Sequence, residues 1–481
     1  MSVPPHDQKK QFDRPKGPKD RNDREDRGRR GDRDDKNKPM DQRDERREMP
    51  KRKRPGVPAR GAALDLLRLV RNGRSLDDAL TFGRTFNELE GADRAFARNM
   101  ATTVLRRQGS LDAVLDTYLN QPLRPKQDDL RALLRLTAAQ VLLLDIPPHA
   151  AASTAVDLAR ERSETAGYAK LVNAIARRLS ETGKERLEKV DVRADMPGWI
   201  WRRLERSYGP QKARAIALAY RQEPPLDMTI APGIDPDVLA ERLEAHKVGP
   251  RTLRRHGAGR IEDLPGFDEG TWWVQDLAAS LPARLAGDLT GKTVFDLCAA
   301  PGGKTLQLAA AGGKVMAVDI SPMRTERLEE NLKRTGLEAK IVVADIMIMD
   351  PPERADVILL DAPCTATGTV RRNPDLLWSK REEEVGTLAA LQDRMIDQAL
   401  GWLKPGGTLI FATCSLFPDE GEKRVDAALA RHEGLRREPA TPEEVGDLPV
   451  ITKDGDIRCL PSYLSEQGGM DGFFAARLVK G

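Results

Sequence analysis

The chain has 481 residues, of which 32% are charged and 4% aromatic, and its 79 Lys/Arg against 75 Asp/Glu give a net charge of +4. A chain this long suggests about two to four domains. It holds no run of about 18 apolar residues, which excludes a membrane-spanning helix. Its four cysteines (298, 364, 414 and 459) are too few for a disulfide scaffold, and none stands in a metal-ligand spacing, which excludes a zinc site.

Residues 1–54 carry 20 Lys/Arg and 13 Asp/Glu, an excess that leaves the remainder slightly negative. Any nucleic-acid groove must therefore be a local patch. With almost nothing apolar to bury, residues 1–56 are expected to form a disordered charged tail. No apolar stretch follows the first charges, so no secretory signal is expected, and reduced thiols point to the cytoplasm.

Residues 57–185 read as an all-α domain. Ala63, Leu66, Leu67 and Val70 have the 3–4 spacing of a buried helix face, and Leu111, Val114, Leu115 and Tyr118 repeat it. Residues 130–144 are more apolar and predict the central helix, stopped at Ile146-Pro147-Pro148. Two more helices are expected at 151–162 and 169–179. Residues 186–290 read as an α+β linker subdomain, with helices at 198–208 and 210–221 and short strands near Met228 and 272–274.

From residue 291 onward, strands alternate with helices. Strands are expected at 293–297, 314–318, 340–343, 356–360 and 408–413, and helices at 305–311, 322–335, 386–403 and 419–431. This is the pattern of a doubly wound parallel sheet in an α/β, Rossmann-like domain. A last strand is expected at 473–479.

Ligands of such sheets bind beyond the carboxyl ends of the strands. The first strand opens there into the glycine turn Ala300-Pro301-Gly302-Gly303-Lys304. A phosphate-binding loop would need glycine where Cys298 stands, and the dinucleotide fingerprint is absent. Asp319 ends the second strand, where a carboxylate can accept from both ribose hydroxyls; Asp345 ends the third, near an adenine. A glycine turn with a ribose carboxylate and no phosphate fingerprint suits S-adenosyl-L-methionine. No metal is expected.

Asp361 ends the fourth strand, Cys364 follows in the next turn and Cys414 ends the fifth, so neighbouring strand ends gather all three at one crevice. Carbon 5 of cytosine is a poor nucleophile, and a thiolate added to carbon 6 turns it into an enamine able to attack a methyl sulfonium. One cysteine can be the nucleophile and the other can assist release, while a carboxylic acid such as Asp361 hydrogen-bonds the ring. Cys298 and Cys459 are expected to be small buried hydrophobes. Arg371, Arg372 and Trp378, in the loop after Cys364, suit phosphate contacts and base stacking.

The stretches Asp296-Leu-Cys-Ala-Ala-Pro-Gly-Gly-Lys-Thr305, Ala317-Val-Asp319, Leu360-Asp-Ala-Pro-Cys-Thr-Ala-Thr-Gly368, Ala412-Thr-Cys-Ser415 and Asp471-Gly-Phe-Phe474 resemble the RNA cytosine-5 methyltransferases of the NOL/NOP/Sun family. The resemblance implies a class I, S-adenosylmethionine-dependent methyltransferase domain over 291–481. It makes Cys414 the nucleophile and Cys364 the residue that assists release. It lines the cofactor site with Cys298, Ala299, Ala300, Pro301, Gly302, Gly303, Lys304, Asp319, Asp345 and Asp361, with Lys304 also facing the target base. The helical region resembles the NusB-type RNA-binding bundle. A NusB-like domain ahead of this catalytic domain resembles bacterial small-subunit rRNA methyltransferases, so the implied partner is RNA, foremost small-subunit rRNA, with the protein a monomer. The same chemistry on tRNA or another nucleic acid, and a non-catalytic RNA-binding or antitermination factor, are the alternatives.

Overall fold

The computed structural model of the protein describes residues 56–257 and 259–481. The expected charged tail, apart from Gly56, lies outside the described residues.

Helices α1 (Val57–Arg71), α2 (Leu76–Phe82), α3 (Arg84–Asn87), α4 (Gly91–Arg106), α5 (Gln108–Asp116), α6 (Asp128–Leu142), α7 (Pro148–Glu161) and α8 (Ala169–Glu188) form an all-α bundle. Its centre is α6, whose Leu130, Leu133, Leu134, Leu136, Ala138 and Ala139 are all buried in one apolar cluster. Gln140 does not interrupt that helix, because its side chain accepts from Arg60 Nε (2.5 Å) and donates to the Leu136 carbonyl (3.0 Å), so its burial leaves no polar atom stranded. The chain leaves α6 through Asp145 at φ 49 and enters α7 with Pro148 in its first turn, where proline's missing N–H costs no hydrogen bond.

The two helices expected at 198–208 and 210–221 are present as the two arms of α9 (Gly198–Tyr220), separated where Gly209 leaves helical geometry (φ 80, ψ 164) ahead of Pro210. Strands β1 (Leu226–Ile230), β2 (His246–Gly249), β3 (Thr252–Arg255) and β4 (Trp272–Val274) make a small antiparallel sheet in the order β2-β3-β1-β4, with α10 (Pro236–Leu243) packed on it. Of these strands, β2 and β3 carry the charged, glycine- and proline-flanked sequence 246–255 and were not visible as strands.

Helix α11 (Leu277–Arg284) leads into the large sheet. It comprises β5 (Thr293–Leu297), β6 (Lys314–Asp319), β7 (Lys340–Val343), β8 (Ala355–Asp361), β9 (Leu403–Thr413), β10 (Arg436–Glu438), β11 (Ile457–Cys459) and β12 (Phe473–Val479). Helices α12 (Gly303–Ala310), α13 (Pro322–Thr335), α14 (Leu376–Ser379), α15 (Glu382–Trp402), α16 (Glu422–Arg431) and α17 (Pro442–Val445) connect them. The order is β10-β12-β9-β8-β5-β6-β7, with β11 also paired to β12. The expectation of a parallel sheet holds for β5 to β9 and needs correction beyond them. The chain after β9 returns to the same end of the sheet, Phe474 opposite Thr413, so β12 pairs antiparallel and the sheet is mixed. Apolar residues from both faces of this sheet form two separate buried clusters.

One glycine decides how closely the carboxyl-end turns approach. Gly368 donates to the Cys414 carbonyl (2.8 Å) and its own carbonyl accepts from Gly472 (2.9 Å). A Cβ there would lie 2.0 Å from the Gly472 oxygen and 2.7 Å from that of Cys414. Gly368→Ala is therefore expected to destabilise the protein by roughly 1–3 kcal/mol, the range for overpacking a rigid site. Urea unfolding measures this, and a loss below ~0.5 kcal/mol would show that the turns can part freely.

Candidate active site

The glycine turn runs between β5 and α12. Cys298 has φ +63 and Gly302 has φ +107, so the backbone doubles back and delivers the α12 N-terminus to the cleft. At Gly302 a side chain would strike Leu328 at 2.3 Å. Asp319, at the end of β6, is buried and braces this turn, accepting from Ala300 N and from Ser321 N (both 3.0 Å), with Arg324 3.7 Å away. Asp345 lies two residues beyond β7, half-buried, and accepts from Met347 N (2.9 Å). Ile320 (67% exposed) and Ile348 (85%) follow these two acids. A glycine cradle, two carboxylates and open apolar side chains beyond adjoining strand ends fit the methionine, ribose and adenine parts of S-adenosylmethionine.

Beneath the turn, Asp296 is fully buried. Its Oδ2 accepts from Thr305 Oγ1 at 2.6 Å and its Oδ1 has no hydrogen-bond partner. Burial pushes this carboxyl up from 3.8 to about 7, against the pull of Thr305 and Lys304.

Strands β8 and β9 are parallel neighbours with Asp361 opposite Ala412, so the turns that leave them carry their cysteines to the same place. Cys364 Sγ lies 3.5 Å from Cys414 Sγ. The hydrogen bond to Cys414 and burial push the Cys364 thiol well above its ordinary range, and the nearby Glu420 charge adds to this. Lys304 reaches across from α12 and donates to Asp361 Oδ2 at 2.8 Å, its ammonium 4.7 Å from the centre of the Phe473 ring. Burial disfavours the charged lysine, but Asp361 outweighs it and raises the ammonium above its ordinary value. Asp361 thus accepts from a lysine, and the donor closest to it in the cleft is Lys304. Cys459 is buried in a core cluster and Cys298 packs on another, and burial raises both thiols.

Arg371, Arg372 and Trp378 do something other than what their sequence suggested. Arg371 is fully buried, donates to the Gly468 carbonyl and lies 4.0 Å from Asp471. Arg372 pairs with Asp276 (2.7 Å) and Asp471 (3.0 Å). Trp378 donates its Nε1–H to the Leu105 carbonyl of the bundle at 2.8 Å. These arginines are consumed by carboxylates distant in sequence, which no local pattern reveals, and the loop is fastened inside the protein instead of facing phosphates.

Other contributors had not been singled out. Tyr208 and Tyr220 of α9 donate to the Leu416 and Thr367 carbonyls, each at 2.5 Å, and so support both cysteine turns from below. Glu420 sits between those turns. The tyrosines gave no signal beyond their place on an apolar helix face. Glu420 stood five residues past Ser415 as an ordinary acid ahead of a helix.

Among the described residues no helix is long and apolar enough to cross a membrane, and no group of three or more His, Cys, Asp or Glu is placed to hold a metal ion.

Residues 287–479 match the family model of the 16S rRNA methyltransferase RsmB/F, and residues 57–181 match that of the NusB family. The chain is 33% identical over 437 residues to ribosomal RNA small subunit methyltransferase B of Erwinia tasmaniensis, covering 87% of this chain and 97% of the relative. It is 33% identical over 452 residues to a probable enzyme of the same name from Synechocystis, covering 88% and 100%. The crystal structure of PH0851 is similar with a TM-score of 0.71 at 26% identity, covering 89% of this chain and 99% of that one. The crystal structure of NSun6 from Pyrococcus horikoshii with SFG shares the fold, with a TM-score of 0.51 at 21% identity over 59% and 98%.

With the geometry above, these matches define an S-adenosyl-L-methionine-dependent rRNA methyltransferase with a NusB-like helical region ahead of a Rossmann-like domain. The chain belongs to the RsmB/F family of 16S rRNA methyltransferases.

The buried Asp296 makes stability depend on pH. Its folded value lies above its unfolded one, so its contribution is fully present below pH ~4 and is lost as pH rises through about 7. Asp296→Asn should therefore gain stability relative to the parent between pH 4 and 8. The gain should approach roughly 4 kcal/mol, the span from 3.8 to about 7 at ~1.36 kcal/mol per pH unit. Urea melts of both proteins across that range test this; parallel pH curves would place the Asp296 carboxyl near its ordinary value.

Proposed function

We propose that this enzyme methylates carbon 5 of a cytosine in small-subunit rRNA through a covalent adduct on Cys414. The observation that carries the reading is the pair of thiols 3.5 Å apart beside the Lys304–Asp361 ion pair, at the same strand ends that hold the cofactor turn. In this reading Cys298 to Lys304, with Asp319, Asp345 and Asp361, line the cofactor site. S-adenosylmethionine, when bound there, supplies an electrophilic methyl group.

Cys414 adds as thiolate to carbon 6. The Sγ–C6 bond forms, and the pair of electrons from the C5–C6 double bond moves into the ring, where Lys304, oriented by Asp361, stabilises the developing charge on the ring nitrogen and carbonyl. Carbon 5 becomes nucleophilic and takes the methyl group. A base in the cleft then removes the carbon 5 proton, the double bond re-forms and the Sγ–C6 bond breaks, returning its electron pair to Cys414. Cys364, held as a thiol by its hydrogen bond, by burial and by the Glu420 charge, donates to the departing Cys414 thiolate and so eases release.

Methyl transfer to small-subunit rRNA lacking 5-methylcytosine, mapped by bisulfite sequencing, tests substrate and chemistry together; one new protected cytosine is expected. Modification of tRNA alone would keep the chemistry and move the substrate, while no S-adenosylmethionine binding would favour an RNA-binding factor. The two cysteines separate by trapping. Cys414→Ala should lower turnover by on the order of a thousandfold or more and form no adduct. Cys364→Ala should release slowly and accumulate a protein–RNA band in denaturing gels. A band that persists without Cys414 would reverse the two roles.

A further inference from the structure

Glu420 is fully buried in the short turn Pro418–Glu420 that precedes α16, and what surrounds it are the residues next to the two thiols. Its Oε1 accepts from Thr365 N at 2.9 Å and its Oε2 from Thr365 Oγ1 at 2.5 Å. Oε2 also accepts from Ser415 Oγ at 2.6 Å. Thr365 follows Cys364 and Ser415 follows Cys414, so one carboxylate holds the turn of each cysteine. Gln392 of α15 adds a longer contact to Glu420 (3.5 Å) and donates to the Pro363 carbonyl at 2.9 Å. The hydroxyls of Thr365 and Ser415 are themselves 3.3 Å apart. Burial raises Glu420 above the ordinary carboxyl range, and the hydrogen bonds from Ser415 and Thr365 oppose that rise.

The arrangement is lopsided in charge. Cys364 faces Cys414, the Glu420 carboxylate and the Ala366 N–H. Lys304, bonded to Asp361, lies near enough to Cys414 for a charge there to act on its ammonium. An anion beside a thiol opposes its ionisation. Two thiols at 3.5 Å would otherwise compete for the same role.

We propose that Glu420 is a positioning residue that fixes the two cysteine turns at one separation and assigns their thiols unlike roles, Cys414 as nucleophile and Cys364 as its partner. The proposal rests on the reading of the two thiols given above, and extends it to a residue that touches neither substrate nor cofactor.

Glu420→Gln keeps the shape and removes the charge. Iodoacetamide alkylation of each cysteine, followed by peptide mass spectrometry from pH 6 to 10, should show the Cys364 profile moving to lower pH by about one unit or more. The Cys414 profile should move less. Turnover should fall at least about tenfold, while the KM for S-adenosylmethionine stays within about threefold, since the glycine turn leaves β5 and, among the described residues, the Glu420 carboxylate bonds only to Thr365, Ser415 and Gln392. An unmoved Cys364 profile, or a turnover equal to that of the parent, would overturn the proposal. If Glu420→Gln fails to fold, Thr365→Val removes one donor of the clamp and should shift both readouts in the same directions to a smaller extent; parental values in both would overturn it equally. The alkylation profile needs no methyl transfer. Failure of the parent on rRNA would therefore count against the cytosine reading and leave this test intact.

Discussion

Parallel pairing of β8 with β9, Asp361 opposite Ala412, is the constraint on which the site depends. Parallel neighbours point the same way, so both chains leave the sheet at one end and both turns open toward the same space. That geometry brings the turns of Cys364 and Cys414 together, and the thiols to 3.5 Å, although fifty positions separate them. The same end of the sheet carries the glycine turn from β5 and the Asp319 corner from β6. Lys304, rooted in the glycine turn, crosses to Asp361 and ties the β5 and β8 ends of the cleft together.

A second constraint is a buried set of charges that closes the cleft from behind. Asp227 of β1 accepts from Arg254 of β3 through two bonds of 2.7 Å, both residues fully buried. Asp276 and Asp471 share Arg372, and Asp471 N donates to Asp276 at 3.0 Å. Arg371 completes three arginines against three aspartates. Burial and the neighbouring Asp276 charge raise Asp471 to about 7, whereas Arg372 overcomes burial to hold Asp276 below its ordinary value. Such sets are poor sources of net stability but costly to break one partner at a time. What this one achieves is placement. It joins the small sheet, the entry to β12 and the loop after Cys364, and the bundle grips the same loop through Arg106 on the Arg371 carbonyl (2.9 Å) and Leu76 N on Asp375 (3.1 Å).

The parts of the molecule legible in sequence are those written in local patterns. Helical periodicity marked the bundle, strand–helix alternation marked β5 to β9, and the glycine turn and strand-end acids stood out as a group at one end of the sheet. The break at Gly209 was legible too, because a glycine–proline pair ends one helix and starts the next, and the backbone does leave helical geometry there. The antiparallel return of β12 was not legible, since direction depends on where the intervening chain travels. Arg371 and Arg372 were misread for a related reason. An adjacent pair of arginines in a loop signals phosphate contact only if no carboxylate reaches it first, and here Asp276 and Asp471, about a hundred positions away on either side, do so.

Burial of Glu420 without a matching cation in its hydrogen-bond set sharpens the same point. Its donors are one backbone amide, two hydroxyls and a distant carboxamide, and taking a carboxylate out of water on such terms is unfavourable. A glutamine would fill the space at less cost if filling space were the task. What a carboxylate offers that an amide does not is two acceptor oxygens with no donor, so that Thr365 and Ser415 can both point at it, together with a field that reaches Cys364. The fold thus accepts an electrostatic penalty beside Cys364, with the Lys304–Asp361 ion pair in the same cleft. In the proposed mechanism, that field on Cys364 is what would let two chemically identical side chains 3.5 Å apart take different roles.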